Sequence, residues 1–370
     1  METSRERILK CLAHVQPEVT PIFMMSVEDK QAWLTRFSAV DEVDLWLKLG
    51  LDLLTVRVPY TGKYAAQDLT IFGQPTDNTY GSLGAGYSKE RGHFPLQGAS
   101  SLAEIEAFPW PDPDEYDYEA AALALQNFPP DKAKGIKLQY SLHKPGQSRE
   151  ASARSSGIWL PILCNVMDLF GIEETMLNLH LQPELVEATI AHLEDFTLKF
   201  SRRALEATHK YVDTVHWGDD FSTQRGLMIS ATHWRKFLKP TYRKIFDLIK
   251  SYGLRCWFHS CGTFRPVLPD LIDMGMDVWE TVQVQCPGNE PEVLKREYGQ
   301  DITFYGAIST QTTLPYGSEA EVRAEVRERI RVLGKGGGYI CGNDHLILID
   351  APMDNVLAML DEARRFRWEA

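Results

Sequence analysis

The sequence predicts a (β/α)8 TIM barrel with an elaborated N-terminal region and loops over the C-terminal mouth. Three observations carry this. Eight short runs rich in β-branched and aromatic residues recur along the 370 residues. Helical periodicity separates most of them, which calls for parallel strands joined by right-handed crossovers. No G-x-G-x-x-G follows an early strand, so the open doubly wound alternative lacks its fingerprint. Eight such units close into a barrel, and residues 1–370 are expected to form this one domain.

The strand runs fall at 19–25 (VTPIFMM), 51–58 (LDLLTVRV), 136–142 (IKLQYSL), 211–217 (YVDTVHW), 254–259 (LRCWFH), 277–282 (DVWETV), 302–306 (ITFYG) and 338–341 (GYIC). A long amphipathic helix is expected over 184–208, and another over 230–251 behind Ser230 as N-cap. Further helices fit 265–275, 291–298, 319–333 and 352–367, punctuated by Gly253, Gly275, Gly299, Gly334 and Pro352. Between 58 and 136 the chain is looser and reads as an elaborated loop or small subdomain over the mouth. Its aromatics Tyr60, Tyr64, Tyr80, Tyr87 and Phe94 suit a lid or a substrate surface. The Pro-Asp-rich piece at 108–118 resembles a linker, but strand patterning resumes after it.

Composition narrows the function classes. Hydrophobic residues make up 44 % and charged residues 24 %, ordinary for a globular chain. The net charge of −12 and the lack of a Lys/Arg run leave no footprint for nucleic acid. No apolar stretch reaches 18 residues, so no membrane span is predicted. The charged N-terminus, METSRERILKCLAHVQPE, is unlike a signal peptide, and a cytoplasmic location is expected. Cys11, Cys164, Cys256, Cys261, Cys286 and Cys341 are sparse and irregular, which suits free thiols, metal ligands or catalysis better than a disulfide framework.

Active sites of such barrels gather at the C-terminal ends of the strands. Phe258-His259-Ser260-Cys261-Gly262 ends the fifth run, and His-x-Cys on one turn supplies two ligands of a zinc site. Cys341 ends the eighth run, in Gly-Tyr-Ile-Cys-Gly-Asn-Asp-His, and would complete a three-ligand set with an open fourth position. A core histidine and ordinary thiols are the plainer alternative. Trp217-Gly218-Asp219-Asp220 ends the fourth run, with Gln224 one turn later. Asp219, Asp220 and Gln224 are candidate catalytic residues. Either aspartate could ligate a metal, orient His259 or cap a turn. Gln283, Ser309 and His345 follow strand ends and are candidate substrate contacts, as are Gln285, Gln311, Asn343 and Asp344. His216, within its run, reads as a core histidine. Gly334-Lys335-Gly336-Gly337-Gly338 lacks the P-loop form and precedes its strand. No Cys-x-x-Cys pair and no G-x-S-x-G elbow occur.

These stretches, from Val212 to Ala363, resemble the uroporphyrinogen decarboxylase superfamily. The resemblance rests on VDTVHWGDDFSTQRGLMIS, on WRKFLKPTYRKIFDLIKSYGLRCWFHSCGTFRPVLPDLIDMGMDVWETVQ, on LKREYGQDITFYGAIST, and on GGGYICGNDH with APMDNVLAMLDEA. The earlier HFPLQGASSLAEIEAFPWPDPDEYDY also fits. The resemblance implies a (β/α)8 fold. The decarboxylases carry an arginine-rich N-terminal motif that grips substrate carboxylates. Here the matching VTPIFMMSVEDK has no arginine. The pattern His259, Cys261, Cys341 is instead similar to the zinc ligands of methyltransferases that work with corrinoid proteins. That branch implies zinc as cofactor, a small methylated donor or a thiol acceptor, and a corrinoid (cobalamin) carried by a separate partner protein, since no D-x-H-x-x-G occurs. Two other readings stand beside it: a metal-free lyase of a small carboxylic acid, and a binding protein without turnover. An oligomer is compatible with the sequence, which does not specify one.

Overall fold

A computed structural model describes residues 2–67, 71–72, 94–143, 146–154 and 158–368. Seven strands form one parallel sheet in the order β1 (Leu53–Tyr60), β2 (Ala133–Leu142), β4 (Thr214–Gly218), β7 (Arg255–His259), β8 (Val278–Val282), β9 (Thr303–Ile308) and β10 (Tyr339–Asn343). β3 (Ile158–Trp159) adds to β2 in the antiparallel sense. β5 (Ser222–Thr223) and β6 (Gly226–Leu227) make a separate hairpin. Every residue of β1, β4, β8, β9 and β10 is buried, as expected for strands covered on both faces.

The ring closes at the first expected run. Ile22 bridges Cys341 of β10, with Phe23 N–H donating to Cys341 O at 3.1 Å and Cys341 N–H to Pro21 O at 2.9 Å. On its other side Ile22 O accepts from Asp52 N–H at 2.9 Å. The expected strand over 19–25 thus contracts to a bridge. Pro21 has no N–H to extend the ladder. Counted with this stave, the eight expected runs all stand in the barrel wall, and the fold is the TIM barrel.

Helices wrap the outside. Pro183–Thr208 starts with a proline in its first turn and buries Leu185, Leu193, Phe196 and Phe200 on one face. Glu319–Leu333 carries a Ser318/Glu321 capping box and buries Val322, Val326, Ile330 and Leu333 at helical spacing. The expected helix over 230–251 is interrupted: Ala231–His233 passes through a π-turn at Trp234–Leu238 before Lys239–Ser251. Pro240 lacks the donor for a regular turn, and the widened turn absorbs it. Among the described residues eight α-helices precede Pro183, one of them Ser4–Leu12, whose Ile8, Cys11 and Leu12 plug the N-terminal end of the barrel together with Phe23, Leu53 and Trp257.

The stretch at 108–118 is packed: the Trp110 ring stacks on His192 at 4.6 Å, and Tyr116 meets Phe200 at 5.0 Å. Tyr60 belongs to β1, Tyr64 to the turn after it, and Phe94 begins the described stretch 94–143, while Tyr80 and Tyr87 lie outside the described residues. Among the described residues no helix is long and apolar enough to cross a membrane.

Candidate metal centre at the mouth of the barrel

His259 is the last residue of β7, in register with Gly218 of β4 and Glu280 of β8. Strand alternation points its ring into the mouth, where the Trp159 ring meets it edge-on at 4.5 Å. Two residues later the chain turns back sharply. Gly262, at φ +78°, permits the turn, and an added Cβ there would lie 2.1 Å from Thr223 O. The turn is held by hydrogen bonds: Cys261 N–H donates to Asp220 Oδ1 at 2.7 Å, Gly262 N–H to Gln283 Oε1 at 2.7 Å, and Ser222 Oγ–H to Cys261 O at 2.5 Å. Cys261 Sγ then stands 3.6 Å from His259 Nε2.

The third member is His345, in the loop after β10. One donor atom each from His259, Cys261 and His345 lie within 4.8 Å of one another. Zinc bonds of about 2.0–2.3 Å place neighbouring tetrahedral ligand atoms roughly 3.5 Å apart, so the set suits such an ion. Its electrostatics agree. Burial, then the neighbouring Asp220, pushes the Cys261 thiol well above its ordinary range, so a thiolate here requires a cation. Burial, with His259 adding to it and Asp220 opposing, pushes His345 down to about 4. Its imidazole is therefore neutral near pH 7, the form that ligates.

Glu280, which sequence reading passed over, sits behind this set. Burial opposes its charge, yet His216 and His259, with Lys137, hold its carboxyl well below the usual range. Glu280 Oε2 accepts from His216 Nδ1 at 3.1 Å, and Oε1 lies 3.6 Å from His259 Nδ1. No hydrogen bond joins the two, but a carboxylate at that distance favours the proton on Nδ1 by its charge, which would leave Nε2 free toward Cys261. The signal was a lone acid within an apolar run, DVWETV. His216, read as a core histidine, is part of this relay.

The other expected site residues separate. Asp219 faces away from the mouth: its carboxylate accepts from the N–H groups of Ile162, Leu163 and Cys164 at 3.0, 2.6 and 3.2 Å, and from Tyr242 O–H at 2.7 Å. It seats the N-terminus of helix Leu163–Phe170. Asp220 stays at the site, 3.7 Å from His259 Nε2. Gln224 is exposed at the tip of the β5–β6 hairpin. Gln283 braces the Cys261 turn. Ser309 Oγ accepts from Gln311 and Thr312 N–H at 3.3 and 3.2 Å, closing its own loop. Cys341 is not brought to the set. It lies within β10, and alternation puts it with Tyr339 on the outer face while Ile340 points inward. The candidate donor from this strand end is His345, four residues on.

The profile of the uroporphyrinogen decarboxylase (URO-D) family matches residues 163–366, more than half of the chain and including all three donors. The chain belongs to the uroporphyrinogen decarboxylase family. No curated protein matches it. Among solved structures, a methyltransferase from Methanosarcina mazei aligns with this URO-D chain at a TM-score of 0.65 and 15 % identity, covering 98 % of each chain. A putative vitamin-B12-independent methionine synthase from Listeria monocytogenes aligns at 0.43 and 12 % identity, covering 95 % of this chain and 97 % of that one. The first likeness shows that the two proteins share a fold.

Proposed function

We propose that this URO-D family member is a zinc-dependent methyltransferase of the cytoplasm, moving a methyl group between a small methylated compound or a thiol and a corrinoid on a separate protein. The observation that carries the reading is the donor set itself. Two imidazoles and a thiol converge where a TIM barrel places its chemistry, and the methyltransferase from Methanosarcina mazei shares the fold. When bound, zinc would lower the proton affinity of a thiol, or polarise the oxygen, nitrogen or sulfur that carries the methyl. His259 Nε2, Cys261 Sγ and His345 would hold it and leave a fourth position for substrate.

The chain's own residues do the rest. Glu280 biases the His259 tautomer by its charge. Asp220 fixes the Cys261 turn through its N–H and adds negative charge beside the donors. Trp159 covers one edge of the His259 ring and restricts water there.

Metal analysis of the purified protein tests this. About one zinc per chain is expected, lost in Cys261→Ala and in His345→Ala and kept in Cys341→Ala. Loss of methyl transfer from methylcobalamin to a thiol should follow the metal. A folded zinc-free protein that releases CO2 from a small acid would replace this reading with the carboxy-lyase.

A further inference from the structure

Gln285 and Ser309, which the sequence suggested as ligand contacts, line a cleft of their own. It opens between the loops after β8 and β9 and the helix Glu319–Leu333, and its volume is about 510 Å³. That is within the range of small-molecule sites, roughly 300–1,000 Å³, and far more than a bare ion fills. Thr312 and Thr313 add hydroxyls to its wall, and Val284 and Ala324 add apolar surface. None of the three metal donors lines it.

Its charges come from the helix. Glu325, Glu328 and Arg329 are spaced so that they share one helix face. Arg329 is committed at three points. Its Nε–H donates to Ala307 O at 3.1 Å, one terminal N–H to Glu325 Oε1 at 3.2 Å, and the other to Glu328 Oε2. Ser309 N–H also donates to Glu325 Oε1, at 3.4 Å. The second oxygen of each carboxylate is unmet. Glu325 Oε2 has neither water nor a hydrogen-bond partner, on a side chain that is 10 % exposed. Among the described residues no donor reaches Glu328 Oε1. Burial holds the Glu328 carboxyl above its ordinary range against Arg329, and the charges of Glu292 and Glu325 add to this. A positively charged donor in the cleft would relieve both the repulsion among these acids and the unmet Glu325 oxygen.

We propose that this cleft is a second binding site, for a short aliphatic amine. Glu325 and Glu328 take its ammonium group, Val284 and Ala324 cover its methylenes, and the hydroxyls beside Ser309 take a further polar end. The site goes beyond the function proposed above and stands whether or not the protein holds zinc.

Calorimetric titration of the purified full-length protein with putrescine tests this, with butanediol as the uncharged probe of the same length and ionic strength held constant. Putrescine should saturate a single site per chain and bind about tenfold tighter than butanediol, or more. Glu328→Gln should weaken putrescine about tenfold. Ala324→Leu, which fills the cleft without changing charge, should weaken it as much. Glu319→Gln removes an exposed acid of the same helix outside the cleft and should leave the affinity unchanged. No saturable binding, equal affinity for butanediol, or unchanged affinity in Glu328→Gln or Ala324→Leu would overturn the proposal. So would an equal loss in Glu319→Gln, which would mark diffuse attraction to an acidic surface. The comparison of probes on the wild type stands even if a variant fails to fold.

Discussion

Glu280 and Lys137 are charged residues buried in the barrel wall, and each has a measurable consequence. Glu280 orients His259 without belonging to the donor set. Replacing it by Gln should leave the barrel folded and weaken zinc about 10–100-fold, as removal of a carboxylate behind a ligating histidine does. Competition with a chromophoric chelator reads this directly. Lys137 makes a prediction about pH. Its folded pKa of about 8 lies below the ordinary 10.5. Between those values the unfolded chain holds more protons than the folded one, so stability rises as pH goes from about 8 to about 10.5, by up to about 3 kcal/mol. Burial sets this first, with the charges of Glu280, Arg57, Glu42 and Lys30 after it. Urea melts of wild type and Lys137→Met across that range should show the slope in the first and its absence in the second.

At the scale of elements, the site depends on one turn pressed against one hairpin. The turn after β7 places Cys261, and Gly262 lets it lie on Thr223 of the β5–β6 hairpin. In Gly262→Ala the new Cβ meets backbone, which cannot swing aside, and its φ of +78° is strained as well. The variant should lose about 2–4 kcal/mol of stability and most of its zinc. A variant with wild-type zinc content and melting temperature would contradict the account of this turn. The same scale explains which expected site residues came together. Asp220 and Cys261 are joined by one hydrogen bond across neighbouring strand ends. Asp219, one residue earlier, points to the other side and supports a helix instead.

For the whole molecule the delicate point is closure. The ring is sealed by the bridge at Ile22, with Val27 pairing Ile347 further along, and Asp52 secures it, its Oδ2 accepting from Ile22 N–H at 2.7 Å and its Oδ1 meeting Arg7 at 2.5 Å. Asp52 is 3 % exposed. Asp52→Ala leaves the buried Ile22 N–H without its acceptor and takes the carboxylate from Arg7, which keeps only Glu2 O and Ser4 Oγ, a loss of about 3 kcal/mol. Thermal unfolding should show it, and hydrogen exchange should rise first at residues 21–23 and 341–343, where the barrel opens.

The barrel and two of the three candidate donors were legible in the sequence for a physical reason. Strands buried on both faces are continuous apolar runs, and His259 and Cys261 are two residues apart on a single turn, so neither needed knowledge of what packs where. The short early helices were not legible, because they draw their stability from tertiary contacts more than from periodicity. Cys341 was misplaced because its run, GYIC, continues to Asn343, so Cys341 is not a strand end and faces the surrounding helices. His345 was read as a substrate contact because nothing in the chain says how far the loop after β10 turns inward. Lys137, Glu280 and His216 were unremarked as a group because they come from three strands spread over more than 140 residues. Composition and local pattern therefore determined the fold class, the acidic surface and the His-x-Cys turn by themselves. Only the closed barrel decided the third donor, the carboxylate behind His259 and the buried ammonium of Lys137, since each depends on which side chains alternate inward from strands distant in sequence.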